Sequence, residues 1–237
     1  MAARYHGRGY VDGMRDPSGH PIVAATLDWV MRPLDPLREH VVPRARGKVL
    51  EVGVGTGLNL DRYDPSRVSE VDAIDPDPYM LARAEPRAAR SPVPVRLHRT
   101  GAEALPFPDE HFDTVLCTFV LCTIPDVDAA LAELHRVLRP DGQLLYVEHT
   151  VADGAIRHLQ HAVQPVWGRV SGGCHLDRDP QELLRRAGFQ VAAPHGHGRN
   201  ALNLTPVWRG QATKAQAPTG SGAASPPKRS ARTGAPG

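Results

Sequence analysis

The chain has 237 residues, 41% of them hydrophobic, with 28 basic and 26 acidic side chains and three cysteines. That length suits one core with extensions, and the apolar fraction excludes wholesale disorder. No run reaches the roughly 18 apolar residues of a membrane span, so no integral membrane association is expected, and three cysteines make no disulfide framework.

The first ten residues are polar and Arg-containing with no apolar stretch behind them, so no secretory leader and a cytoplasmic location are expected. Residues 1–19 read as an extension, 20–215 as the folded domain, and 216–237 as a tail of Pro, Gly, Ser, Ala and Thr. The tail carries Lys228, Arg229 and Arg232 and no acid, and cannot bury enough apolar surface to offset its ordering entropy, so it is expected to be disordered. Without it the chain holds 25 basic against 26 acidic residues. A folded part of that balance argues against nucleic acid as the main partner.

A helix is expected over roughly 20–40. Beyond it, short β-rich runs alternate with helical ones. Lys48–Val52, Val71–Ile74, Val93–His98, Thr114–Thr118 and Leu144–Glu148 read as strands. Leu58–Tyr63, Pro78–Ala89 and Val127–Leu138 read as helices; in the last, Val127, Ala130, Leu131, Leu134, Val137 and Leu138 share one face. Pro140-Asp141-Gly142 is expected to break that helix and start the next strand. Gln190–Ala193 and Thr205–Ala212 read as strands six and seven. The alternation predicts a doubly wound α/β fold: a parallel sheet covered on both faces, closed by a C-terminal antiparallel strand.

The first chemical signal is Glu51-Val-Gly53-Val-Gly55-Thr-Gly57-Leu, directly after the first strand. Glycines there allow sharp turns and close approach of a ligand at the carboxyl edge of the sheet. A nicotinamide fingerprint needs a third small residue where Leu58 or Leu60 stands, so the dinucleotide frame fails in both registers. Asp75, 20 residues past Gly55 at the end of the second strand, can accept both hydroxyl protons of a ribose. Asp77, before Pro78, is the better helix cap. Asp72, inside the strand, reads as solvent-facing or at an edge.

With these glycines and Asp75, the connection Gly101-Ala-Glu-Ala-Leu-Pro-Phe-Pro-Asp-Glu-His-Phe-Asp113 resembles that of the class I S-adenosylmethionine-dependent methyltransferases. The resemblance implies a seven-strand Rossmann-like sheet, S-adenosylmethionine as cofactor and a small-molecule methyl acceptor as partner. It places Glu51, Gly53, Gly55, Gly57, Asp75, Pro76, Gly101, Ala102, Glu103 and Thr118 at the donor, with the Ala102 amide toward the adenine. Gly101 stands where many relatives have Asp, leaving the contact to the adenine amino group to Glu103. Val115 to Cys122, Leu134 to Gly142, Glu148-His149, Gln164-Pro-Val-Trp167 and Gly172-Gly-Cys-His175 look like the vertebrate methyltransferase-like thiol S-methyltransferases. Those enzymes begin with a membrane-anchoring segment, and this chain begins with polar residues. The stretch Val52 to Leu60 also resembles bacterial phospholipid N-methyltransferases, which keeps an amine acceptor open.

For the acceptor side, His149 at the end of strand five can serve as a general base, or as a structural hydrogen-bond partner. His175, on a Gly-rich loop, offers the same two roles. Cys117 and Cys122 read as buried small hydrophobes. Cys174-His175 has no matching pair elsewhere in sequence, so no metal site is expected, and His195-Gly-His197 reads as a surface loop. The expected function is methyl transfer to a small molecule, a thiol first and an oxygen or nitrogen acceptor second. Set against it are a nicotinamide oxidoreductase and a methyltransferase-like protein that binds nucleoside without turnover.

Overall fold

The computed structural model describes residues 19–171, 173–193, 197–198 and 206–215. The expected tail, all but the last residue of the N-terminal extension, and His195 lie outside the described residues.

Among the described residues eight strands form one sheet, seven of them in the order β3-β2-β1-β4-β5-β8-β6 and the eighth, β7, beside β8. β1 (Gly47–Val52), β2 (Val68–Ile74), β3 (Val95–His98), β4 (Phe112–Thr118) and β5 (Leu138–His149) run parallel. β8 (Val207–Lys214) runs antiparallel between β5 and β6 (Phe189–Val191), and the two-residue β7 (His197–Gly198) pairs with β8. Because β2 and β4 flank β1 on opposite sides, the strand order reverses at β1, and a crevice opens above the carboxyl ends of β1 and β4.

The central strands bury both faces, so they read as nearly continuous apolar runs. Leu50, Val52, Val115, Cys117, Leu144 and Tyr146 face one layer. There they meet Val127, Ala130, Leu131, Leu134 and Val137 of α4 (Val127–Val137) and Leu184 of α6 (Pro180–Arg186). Val49, Val71, Ala73, Leu116, Leu145 and Val147 face the other, against Leu81 and Ala84 of α3 (Pro78–Ala88). Asp77, Asp126 and Asp179 cap α3, α4 and α6 by accepting from backbone amides of the first turn. No helix among the described residues is long and apolar enough to cross a membrane.

Several expectations shift. The N-terminal helix divides into α1 (Pro21–Met31), a 3₁₀ turn (Arg32–Leu34) and α2 (Asp35–Glu39). Residues 58–63 form no helix. Gly57, Leu60 and Arg62 each donate to a carbonyl three residues back, giving successive tight turns, while Asn59 and Tyr63 are drawn inward by Glu51. α4 ends at Val137 and β5 already begins at Leu138, so Pro140-Asp-Gly142 lies inside the strand rather than ahead of it. The expected sixth and seventh strands correspond to β6 (Phe189–Val191) and β8 (Val207–Lys214), the latter two residues further along than expected. Asp72 is neither solvent-facing nor at an edge. β2 sits between β1 and β3, and Asp72 is buried with His98 Nε2 at 2.7 Å and Arg96 at 3.7 Å.

Candidate active site

The glycine loop crosses the carboxyl end of β1 with Gly53, Gly55 and Gly57 all in the left-handed region, at φ of 64°, 54° and 86°. That conformation disfavours a side chain, and the three glycines differ in what a side chain would meet. A Cβ on Gly53 would lie 2.3 Å from Val120 Cγ2, so this glycine lets β1 and the β4 exit close on one another. A Cβ on Gly55 would meet only Leu27 of α1, at 3.4 Å, with nothing else within 4 Å.

Asp75 stands at the end of the neighbouring strand and closes the cradle. Its Oδ2 accepts from Gly55 N–H at 2.9 Å and its Oδ1 from Asp77 N–H at 2.9 Å. Each oxygen keeps a further lone pair. Burial pushes this carboxyl up to about 6, against the pull of those two amides. The expected division of labour between the two aspartates holds for the cap: Asp77 Oδ1 accepts from Tyr79 N–H at 2.8 Å. Ile74 pairs with His98, so the chain after β2 and after β3 leaves the sheet at the same edge. Pro76 follows there, its carbonyl taking the Arg99 side chain at 3.5 Å, as do Gly101, buried Ala102 and half-buried Glu103. Glu103 folds back over Gly101, whose Cβ position lies 2.5 Å from Glu103 Oε2.

Glu51 and Thr118 sit beneath this cradle. Glu51 is 1% exposed and spends its two oxygens on Asn59 Nδ2 (2.9 Å) and the Tyr63 hydroxyl (2.7 Å). Burial raises its carboxyl to about 7, against those bonds and Arg38. The Thr118 hydroxyl accepts from Arg38 and from Asn59, both at 3.0 Å. Arg38 of α2 also donates to Asn59 Oδ1 at 2.9 Å and lies over the Phe119 ring at 5.2 Å. Phe119 itself has φ of 56°, a conformation rare outside glycine and held here at the crevice. The network stiffens the glycine loop from below. Glu51 and Thr118 were singled out in the sequence, whereas Arg38, Asn59, Tyr63 and Phe119, which join them in this network, were not, because their partners lie up to 80 residues away.

α1 packs over the loop, with Leu27 beside Gly55. Thr56 Oγ1 donates to Asp28 at 2.5 Å, Arg87 of α3 pairs with Asp28 at 2.7 Å, and His20 N–H reaches Asp77 at 2.7 Å. Partial burial raises the Asp28 carboxyl, but Arg87 and Thr56 outweigh it and hold it low.

Next to the cradle lie the exits of β4 and β5. Glu148, 1% exposed, accepts Val120 N–H (2.9 Å) and Leu121 N–H (3.1 Å) on Oε1, and burial raises it to about 7. His149 Nε2 lies 3.1 Å from Cys174 Sγ, while its Nδ1 has no partner among the described residues. Cys122, Cys174 and His149 bring their ligand atoms within 4.8 Å of one another. A hydrogen bond from the Cys122 thiol, then His149, pull the Cys174 thiol down against burial, and the Trp167 indole on α5 (Ala155–Val170) also reaches it. Cys122 is therefore not only a core filler, as expected of it and as Cys117 is; it faces this cluster. The expectation that Cys174 lacks companions is likewise corrected, because the fold supplies them from two other elements. His175 stays outside: its backbone N–H bonds the Cys122 carbonyl at 2.8 Å, and its ring turns to Asp177 at 3.7 Å.

Residues 50–146 match the model of a methyltransferase domain family. The chain is 32% identical over 158 residues to the thiol S-methyltransferase TMT1A of Homo sapiens, an alignment spanning 65% of this chain and 64% of that one. It is 42% identical over 116 residues to a phosphatidylethanolamine N-methyltransferase of Cereibacter sphaeroides, spanning 48% and 56%. The chain thus spans less than two thirds of the length of these relatives. The YcgJ protein of Bacillus subtilis has the same fold, with a TM-score of 0.60 at 20% identity over 78% of this chain and 99% of that one. Domain and fold together imply S-adenosylmethionine as the cofactor, and the cradle fits it: a glycine loop with space beside Gly55, a buried carboxylate bonded to it and a buried Ala102 on one sheet edge. Residues 50–146 thus match a methyltransferase domain family, and the chain has the Rossmann-like fold of its class I methyltransferase neighbours.

Proposed function

We propose that this chain transfers a methyl group from S-adenosylmethionine to a small thiol. One observation carries the donor half: the Asp75 carboxylate is bonded to the Gly55 amide, so carboxylate and glycine loop form one cradle at the point where the strand order reverses. In this reading Asp75 holds the ribose hydroxyls, Gly53 to Gly57 admit the methionine part, and Gly101 to Glu103 flank the adenine. Glu51 and Thr118 act from below as positioning residues, and α1 excludes water from above.

When bound, the cofactor supplies a methyl group already activated on a sulfonium. What remains for the protein is alignment of the acceptor at about 3–3.5 Å and supply of its nucleophilic form. The acceptor half rests on the rim. His149 turns its Nε2 to Cys174 and has its Nδ1 buried, so its ring offers an acceptor no exposed nitrogen as a general base, and His175 lies outside this cluster beside Asp177. A thiol, ordinarily with a pKa near 8.5, needs such a base least, whereas an alcohol or phenol needs it most. The likeness to human TMT1A supports the same choice. The likeness to the bacterial phosphatidylethanolamine enzyme supports the second reading, an amine on a phospholipid headgroup. Competition among a small thiol, a phenol and phosphatidylethanolamine vesicles, read as methylated product by mass spectrometry, separates them: the thiol product should dominate, and a dominant phenol or lipid product would replace the thiol reading.

A further inference from the structure

The cluster at the β4 and β5 exits draws on three separate elements. Cys122 lies in the turn after β4, His149 is the last residue of β5, and Cys174 lies on the segment between α5 and α6. Both sulfurs and a ring nitrogen lie within 4.8 Å of one another. A tetrahedral ion with bonds of about 2.3 Å to sulfur and 2.0–2.1 Å to nitrogen would hold such atoms about 3.5–3.8 Å apart. Two thiol sulfurs and an imidazole are the donors that soft and borderline ions prefer, not those of magnesium or calcium.

The site is built rather than accidental. Gln164 of α5 grips the Cys174 segment at both ends of its amide, donating to the Cys174 carbonyl at 3.1 Å and accepting Leu176 N–H at 2.8 Å. Arg178 pins the same segment to the β4 exit through the carbonyls of Leu121 (2.7 Å) and Ile124 (2.8 Å). His175 N–H closes the third link, to the Cys122 carbonyl. These bonds hold the two cysteines facing one another, as a ligand set must be held for tight binding.

We infer that Cys122, His149 and Cys174 bind one zinc-class divalent ion, whose fourth coordination position takes the sulfur of the methyl acceptor. Three protein ligands, with no fourth in the group among the described residues, is the arrangement of catalytic zinc, not of a closed structural site. The position suits the chemistry: Val120, two residues before Cys122, packs on Gly53 of the donor loop, and Glu148, beside His149, holds the Val120 amide. The acceptor S–H gives its proton to solvent as its sulfur binds the ion. A bond then forms from that sulfur to the methyl carbon, the carbon–sulfonium bond breaks with its electron pair kept by the donor sulfur, and a neutral thioether leaves. The acceptor part of this inference rests on the thiol reading; the ion site does not.

The test uses the full chain, reconstituted with zinc under a phosphine reductant and freed of excess metal. Elemental analysis should give about one zinc per chain, falling at least about tenfold in Cys122→Ser, Cys174→Ser and His149→Asn. His161→Ala, on the exposed side of α5, should keep its zinc. Donor binding by calorimetry checks that each variant is folded, and cobalt substitution of the unmutated protein gives a readout independent of them: thiolate-to-cobalt charge transfer and tetrahedral d–d bands. Less than about 0.1 zinc per chain in folded, donor-binding protein would overturn the site. Zinc bound, with 2-mercaptoethanol shifting the cobalt bands, supports the whole inference. Zinc bound with cobalt bands indifferent to the thiol would keep the ion and overturn the acceptor's place on it.

Discussion

Replacing Asp75 with Asn separates a ribose-binding carboxylate from a structural one. In the fold each oxygen of Asp75 accepts one backbone amide, from Gly55 and from Asp77, both at 2.9 Å. An Asn keeps one of these, points an N–H donor at the other amide, and removes the charge from both ribose hydroxyl bonds. A hydrogen bond to a charged group is worth about 1.5–3 kcal/mol. At about 1.4 kcal/mol per decade, one such bond lost weakens donor binding roughly 10- to 100-fold. The control is Asp77→Ala, which removes the α3 cap at about 1 kcal/mol of stability, together with the bond from His20 N–H, and leaves Asp75 in place. Calorimetric titration of both variants with S-adenosylmethionine should show the large loss in Asp75→Asn only, with the melting temperature lowered in Asp77→Ala. Donor affinity unchanged in folded Asp75→Asn, or lost equally in both variants, would refute the ribose role.

Three further predictions follow from the same geometry. Gly53→Ala should destabilise the fold, since its Cβ would lie 2.3 Å from Val120 at a left-handed φ, while Gly55→Val should lose donor affinity with less loss of stability; thermal melts beside titrations check the contrast. Tyr63→Phe leaves a buried Glu51 oxygen without its donor, an expected cost of about 1–3 kcal/mol read by denaturant unfolding. Between pH 7.5 and 5.5, donor affinity should fall as Asp75, raised to about 6, takes up its proton. Over the same range the donor-free protein should gain stability. Asp75 and Glu51 are raised in the folded state, so their contribution is complete below the unfolded values near 4 and is lost as pH rises through about 6 and 7. Affinity and melting temperature moving together across that range would contradict this assignment.

The glycine loop and the place of Asp75 beside it were legible in the sequence because their signals are local. Gly53, Gly55 and Gly57 sit within five residues, and Asp75 closes a strand whose apolar run announces it. The parallel sheet was legible from alternating strand and helix patterns, and the Asp77 cap from the proline after it. What the sequence hid was assembled across the fold. Arg38 meets Thr118 across 80 residues, and Cys122, His149 and Cys174 meet only where two strands and a loop converge. The turns at 58–63 were hidden for a related reason. Their residues have helical spacing, but Asn59 and Tyr63 are pulled inward by Glu51, a tertiary demand that local propensity does not record. Asp72 was misplaced because its partners, His98 and Arg96, arrive from the next strand.

Methyl transfer to a thiol is decided by a single turnover measurement. The full chain is incubated with methyl-deuterated S-adenosylmethionine and a small aliphatic thiol, and the products are followed by mass spectrometry. The account predicts deuteromethyl thioether and S-adenosylhomocysteine in equal amounts, both lost in Asp75→Asn at donor concentrations that saturate only the unmutated protein. S-adenosylhomocysteine formed without the thioether, or a thioether yield indifferent to Asp75, would contradict it.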